Sequence, residues 1–315
     1  MHIAFRTFLL VVGFALLVQS AKIFVNASVG IAKRLKIPTL VIGLTVVAMG
    51  TSAPEVVVGV SAALSGSSEL AIANVVGSNL FNLLFIVGFC AMLYPISLKM
   101  TEISRDYWVS FAATVLLLVL AVVFAGRSIP RWGGFVFIAG FVIYMFVIIR
   151  HTLKNKAPES SGEESDNAPP LWKNIILAIV GIVVIVEAGQ LTVTSAVNIA
   201  DHIGISERII GLTIVSIGTS LPELVTTLIA CRKNEGGFAI GFIIGSSIFN
   251  ILFVLGLAGM ILPLEVERSV IFDISVLVIG TLAFFMYAKS GMKLVRVEGF
   301  FMVLMYIGYI VWLLI

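Results

Sequence analysis

The 315 residues are 60% hydrophobic and only 12% charged, with a formal net charge of +3 and a mean hydropathy of +1.14. An average soluble domain carries roughly 25% charged residues, so a water-soluble fold cannot hide this much apolar surface. The small positive balance belongs to loop lysines and arginines and excludes nothing about nucleic acid by itself. Apolar segments of about 20 residues, long enough to cross a bilayer, recur along the whole length and predict an all-α polytopic membrane protein.

In chain order the apolar segments read as ten spans, at 3–25, 39–65, 70–94, 106–125, 129–149, 173–198, 206–231, 237–262, 269–288 and 296–315. The first is longer than the roughly 7–15-residue apolar core of a secretory signal, so it is expected to be retained. Gly, Pro and charged clusters separate the spans, as in GRSIPR (126–131) and LPLEVER (262–268). The one long polar stretch, Arg150 to Lys173, is rich in Pro, Ser, Glu and Asn. Such a composition cannot bury enough apolar area to fold, which predicts a mobile linker. The chain then divides into a first membrane half, 1–149, a cytoplasmic linker, 150–172, and a second membrane half, 173–315. Cys90 and Cys231 fall at or near the ends of apolar segments; they suggest no disulfide framework and read as small core hydrophobes.

Two motifs repeat at a single spacing. GLTVVAMGTSAPE, Gly43 to Glu55, returns as GLTIVSIGTSLPE, Gly211 to Glu223, 168 residues later, and GSNLFN (77–82) returns as GSSIFN (245–250) at the same offset. Repeats at one offset indicate a duplicated architecture. Five spans per half is an odd number, so the second half enters the membrane upside down: ten transmembrane helices as two inverted five-helix repeats. The loops agree. Of the 20 Lys and Arg residues, only Arg6, Arg127, Arg131, Arg208 and Arg268 lie on one set of alternate loops, and the other fifteen lie on the opposite set. The positive-inside rule then puts both termini outside and the 150–172 loop in the cytoplasm.

Each first motif buries a Glu among apolar residues. On a helix Ala48, Thr51, Ser52 and Glu55 share one face, as do Ser216, Thr219, Ser220 and Glu223. Ser78 with Asn82, and Ser246 with Asn250, are i,i+4 pairs on the following helices. Pro54 and Pro222 lack the N–H that a regular helix needs and open the turn before them, freeing carbonyls that are costly at mid-membrane unless something satisfies them. Carboxylates, hydroxyls, amides and carbonyls form an all-oxygen set suited to hard cations such as Ca²⁺ or Na⁺. Plainer structural roles stay open for several of these residues. Ser52 and Ser220 can bond back to the preceding turn, Gly77, Ser78 and the GFIIG run (241–245) can serve close helix packing, and Asn82 and Asn250 can join helices. Intramembrane acids are functional-site candidates by default. Glu187 and Lys22, which are not at matching repeat positions, read as local pairs or snorkelling groups.

The three histidines, His2, His151 and His202, lie at a terminus or in loops, and no Walker A sequence is present. A hydrolase, a zinc site and ATP as the energy source are therefore disfavoured; the reading is a transporter and not an enzyme, with no cofactor beyond its transported ions.

At these motifs the chain resembles the sodium/calcium exchanger family of the cation/Ca²⁺ antiporter superfamily, in its compact prokaryotic form. The likeness covers essentially the whole chain, with repeats at 43–88 and 211–256. It implies export of Ca²⁺ in exchange for Na⁺ across the plasma membrane, with no obligate protein partner. Four ion sites are implied at mid-membrane. Glu55 and Glu223 would hold Ca²⁺, helped by groups around Thr51 and Thr219. The Na⁺ sites would draw on Ala48, Ser52 and Ser78 in one half and on Ser216, Ser220 and Ser246 in the other, with Asn82 and Asn250 at the centre. The first and sixth helices would slide over an eight-helix core. The chain departs from the pattern at Phe242 and Ser247, where many relatives carry Asn, at Asn250, where some carry Asp, and at Ser216, where some carry Ala. GTSxPE in place of the GNxxE of calcium/proton relatives favours Na⁺ as the counter-ion. Proton/Ca²⁺ exchange and a passive cation channel are the alternatives.

Overall fold

The computed structural model describes residues 3–35, 37, 39–66, 68–98, 100–154, 169–202, 216–291 and 293–314. The first half comprises α1 (Ile3–Leu35), α2 (Thr39–Thr51), α3 (Ala53–Leu64), α4 (68–93), α5 (Met100–Val123) and α6 (Arg131–Lys154). The second comprises α7 (Leu171–His202), α8 (Ser216–Thr219), α9 (Leu221–Arg232), α10 (236–261), α11 (Arg268–Gly291) and α12 (Arg296–Leu314). Eight of these helices are long and apolar enough to cross a membrane, and a ninth span results if α2 and α3, bent by 48° at their junction, count as one. The protein is a multi-pass membrane protein. Of the predicted seventh span, 206–231, residues 206–215 lie outside the described residues, so α8 and α9 are its visible part. The linker expectation holds less of the chain than predicted: α6 continues to Lys154 and α7 begins at Leu171, while 155–168 lie outside the described residues. Helix α1 likewise runs ten residues past the predicted end at 25, with Gly30 near its end packed against Asn174 of α7.

Helices dominate because a backbone in hydrocarbon must satisfy its own polar groups. The centre of the bundle is α4 and α10, 78% and 94% buried over their apolar windows, against 33% for α1 and α7. Both central helices widen into a π-helical turn at equivalent places, Phe81–Ile86 and Phe249–Val254, and each turn carries its Asn in second position. Stacked pairs flank them, Phe81 on Phe85 at 4.9 Å and Phe249 on Phe253 at 4.7 Å. Glycines let α2 press against α10: a Cβ at Gly241 would lie 2.6 Å from the Leu40 carbonyl oxygen, and one at Gly245 closer still to that of Leu44. Gly77 has open space instead, so the packing role holds for GFIIG and not for Gly77.

Helices α1 and α7 pack along one another antiparallel, with Gly13 against Thr192, Phe24 against Gly181 and Gly30 against Asn174. Four two-residue strands join the halves. The strand β1 (Ile96–Ser97) pairs with β4 (Lys293–Leu294), and β2 (Ser128–Ile129) pairs with β3 (Leu264–Glu265), both antiparallel. Cys90 and Cys231 are buried free thiols, as expected. Glu187 is exposed on α7 and Lys22 half-buried on α1; Lys22 lies near Lys233, and no ion pair joins Lys22 to Glu187.

Candidate cation site

Both GTSxPE segments break their helices at the serine. Ser52 has φ −81° and ψ 14°, and Ser220 has φ −94° and ψ 8°, outside the helical region, and each is followed by a helix with Pro in its first turn. A proline is tolerated there because a first-turn N–H has no partner in any case. The break brings the serine and, one turn later, the glutamate to the same level of the bundle. Glu55, Glu223, Ser52, Ser220, Thr51, Ala48, Ser246, Asn82 and Asn250 are all 0% exposed, and Ser78 is 3% exposed.

The two halves meet through these groups. Ser52 Oγ donates to Glu223 Oε1 at 3.2 Å and lies 2.6 Å from Ser246 Oγ. Ser220 Oγ donates to Glu55 Oε1 at 3.5 Å. Among the described residues Ser52 makes no side-chain bond to the preceding turn, so the plainer role set out above does not apply to it. Thr51 does bond back, to the Val47 carbonyl at 3.2 Å, while its side chain also approaches Glu223. Ser78 approaches Glu55. Thr219 ends α8 and is half-buried. Only the backbone of Ser216 belongs to the described part, so its predicted ligand role lies outside the described side chains. Eleven of the twelve predicted residues thus have described side chains on or between α2, α3, α4, α8, α9 and α10.

Several oxygens at the meeting point have no hydrogen-bond partner: Glu55 Oε2, Glu223 Oε2, Asn82 Oδ1 and Asn250 Oδ1. Buried polar atoms are normally paired, and leaving one unpaired costs about 1–3 kcal/mol, more if it is charged. Four such oxygens, two of them on carboxylates, form a donor set that a desolvated hard cation satisfies. No cluster of three or more His, Cys, Asp or Glu occurs among the described residues, so the mixed carboxylate, hydroxyl and amide set is unlike a transition-metal centre.

Sequence reasoning passed over Asn79. It is fully buried, donates from Nδ2 to the Ser247 carbonyl at 3.4 Å and accepts from Asn250 Nδ2 at 3.2 Å. The signal was present: Asn79 lies in GSNLFN and stands 168 residues before Ser247, a position where the halves differ. Thr226 and Thr227, one turn beyond Glu223, were also overlooked; both are buried with unpartnered hydroxyls.

The comparison with known proteins agrees with this geometry. The family model described as sodium/calcium exchanger protein matches residues 5–150 and 173–315. The chain is 38% identical over 313 residues to the putative antiporter CaxA of Alkalimonas amylolytica, covering 96% of this chain and 97% of the relative. It is 30% identical over 340 residues to the sodium/calcium exchanger MaX1 of Methanosarcina acetivorans, with coverage of 96% and 97%. A solved structure of the sodium-calcium exchanger NCX_Mj superposes with a TM-score of 0.84 at 29% identity, covering 98% of this chain and 99% of that one. With matching motifs, a matching architecture and relatives along its whole length, the chain belongs to the sodium/calcium exchanger family.

Proposed function

We propose that the protein exports Ca²⁺ in exchange for Na⁺ by alternating access, with Ca²⁺ held between Glu55 and Glu223. The observation that carries this reading is the pair of fully buried carboxylates, each with one oxygen unpartnered and each bonded through its other oxygen to the serine of the opposite half. Ser52, Ser78, Ser216, Ser220, Ser246, Ala48 and the carbonyls near Thr51 and Thr219 complete the cation sites, with Asn82 and Asn250 between them. Ten spans in two inverted repeats are part of the proposal. In support, α1 and α7 correspond by the 168-residue offset yet run antiparallel. The strand pairing supports it too, because β1 and β3 follow equivalent helices but lie at opposite ends of the bundle, each beside the other half's later strand. Since α1 and α7 pack chiefly on one another, they are the elements free to slide across the site.

Charge counting sets the expected stoichiometry. The site holds two formal negative charges, Glu55 and Glu223; one Ca²⁺ balances them, whereas three Na⁺ leave it at +1. Exchange of three Na⁺ for one Ca²⁺ is then electrogenic, biased by about 2.3 kcal/mol per 100 mV, and independent of K⁺ because Asn250 adds no charge. The test is ⁴⁵Ca²⁺ uptake into proteoliposomes with the potential clamped, with and without K⁺. Uptake should need trans Na⁺ and follow the potential. Uptake without a counter-ion would mean a channel, uptake driven by a pH gradient would mean proton exchange, and either overturns the reading. Both termini outside the plasma membrane and the 150–172 loop in the cytoplasm belong to the same proposal, supported by the loop charges. Cysteines added at either end should react with an impermeant maleimide on intact cells; protection would reverse the orientation.

A further inference from the structure

We propose that Asn79 is a positioning residue that holds the Asn250 amide with its carbonyl oxygen, and not its NH₂, toward the cations. The inference rests on the exchanger reading above and deepens it.

The Ser247 backbone carbonyl has no proton to give, so the Asn79 atom 3.4 Å from it is the donor Nδ2. That settles the other branch of the planar Asn79 amide as the acceptor Oδ1. Asn250 lies 3.2 Å from it and must therefore offer Nδ2. Its Oδ1 is left on the opposite branch, buried and without a partner. The orientation is forced by a backbone carbonyl two steps away. Asn79 and Asn250 are 0% exposed and Ser247 7%, so bulk water has little access to these bonds.

The device exists in one half only. Asn82 occupies the position equivalent to Asn250, and both of its amide atoms lack partners. The residue that would restrain Asn82, equivalent to Asn79, is Ser247, and its hydroxyl is already bonded to the Ile243 carbonyl at 3.0 Å. A free amide must give up rotational freedom to turn its oxygen to a cation, so an unfixed Asn is a poorer ligand than a fixed one. Asn79 thereby makes Asn250 the stronger of the two central amides.

The experiment uses the purified full-length protein in detergent, with equilibrium binding of ⁴⁵Ca²⁺ and, separately, the thermal shift caused by NaCl. Asn79→Ala should weaken Ca²⁺ and Na⁺ binding roughly three- to tenfold, the range of one lost hydrogen bond. In an Asn250→Ala background the same change should add nothing further, since its effect passes through Asn250. A purely structural Asn79 would cause an equal loss in both backgrounds, and that result overturns the proposal, as does full affinity in Asn79→Ala. If Asn79→Ala misfolds, Asn79→Ser, which shortens the side chain and removes both amide atoms, should show the same loss in the wild-type background and none in the Asn250→Ala background; an equal loss in both overturns the proposal too. Wild-type protein that binds cations but shows no Na⁺-driven flux would sink the exchanger reading and leave the Asn79 comparison intact. Wild-type protein that binds neither ion would sink both.

Discussion

The two halves of the cation site share a skeleton and differ in their polar dressing. Ser52 and Ser220 break their helices at nearly the same angles, Glu55 and Glu223 are equally buried, and the π turns fall 168 residues apart. Around them the symmetry fails. Among the described residues Ser52 reaches both Glu223 and Ser246, whereas Ser220 makes one longer bond to Glu55. Asn79 faces Ser247, Asn74 corresponds to Phe242, and Thr226 and Thr227 correspond to Val58 and Gly59. At Gly59 an added Cβ would meet Val254 at 2.7 Å, so this wall of the first half is closed by packing where the second buries hydroxyls. Duplication supplies a pair of carboxylates; divergence makes one flank better furnished with buried polar groups.

The comparison breaks first at the acids. Glu55→Ala and Glu223→Ala should each reduce Na⁺-driven ⁴⁵Ca²⁺ uptake by about a hundredfold or more, as expected for losing one partner of a buried charge interaction, with monodisperse folded protein by size exclusion. Activity surviving in only one of them would show that the halves do not share the ion. Next comes packing. Gly245→Ala should lower stability by about 1–3 kcal/mol, read as a drop in melting temperature, because its Cβ would run into the backbone at Leu44; Gly77→Ala, with open space, should melt like wild type. Equal melting of the two would remove the close α2–α10 contact. The smallest effect separates the serines. Ser52→Ala should weaken apparent Ca²⁺ affinity by roughly tenfold and Ser220→Ala by roughly threefold, from two bonds against one. The reverse order would put the better-furnished flank on the other side.

Much of this site was legible in the sequence because duplication prints the same residues twice. The helix breaks follow from Pro54 and Pro222, and the buried acids from their apolar flanks. The cross-half pairing was not legible. That Ser52 serves Glu223 rather than Glu55, three residues away from it, is decided by how segments 171 residues apart pack. Asn79 escaped because its partners are a backbone carbonyl and an amide from the other half, which no local spacing encodes. The extra length of α1 escaped because Asn26 and Ser28 interrupt the apolar run; the helix continues because α7 lies alongside, with Gly30 against Asn174.

The paired strands at the two ends of the bundle bear on how the chain is made. The residues of β1 find their partner only when β4, about 200 residues later, has left the ribosome, and Glu55 meets Ser220 after a similar delay. During synthesis the first half therefore waits in the membrane with open strand edges and an acid lacking its serine. We expect residues 1–154 expressed alone to be degraded and to be rescued by co-expressed 155–315. Persistence of the lone fragment would mean that the first half matures without its twin.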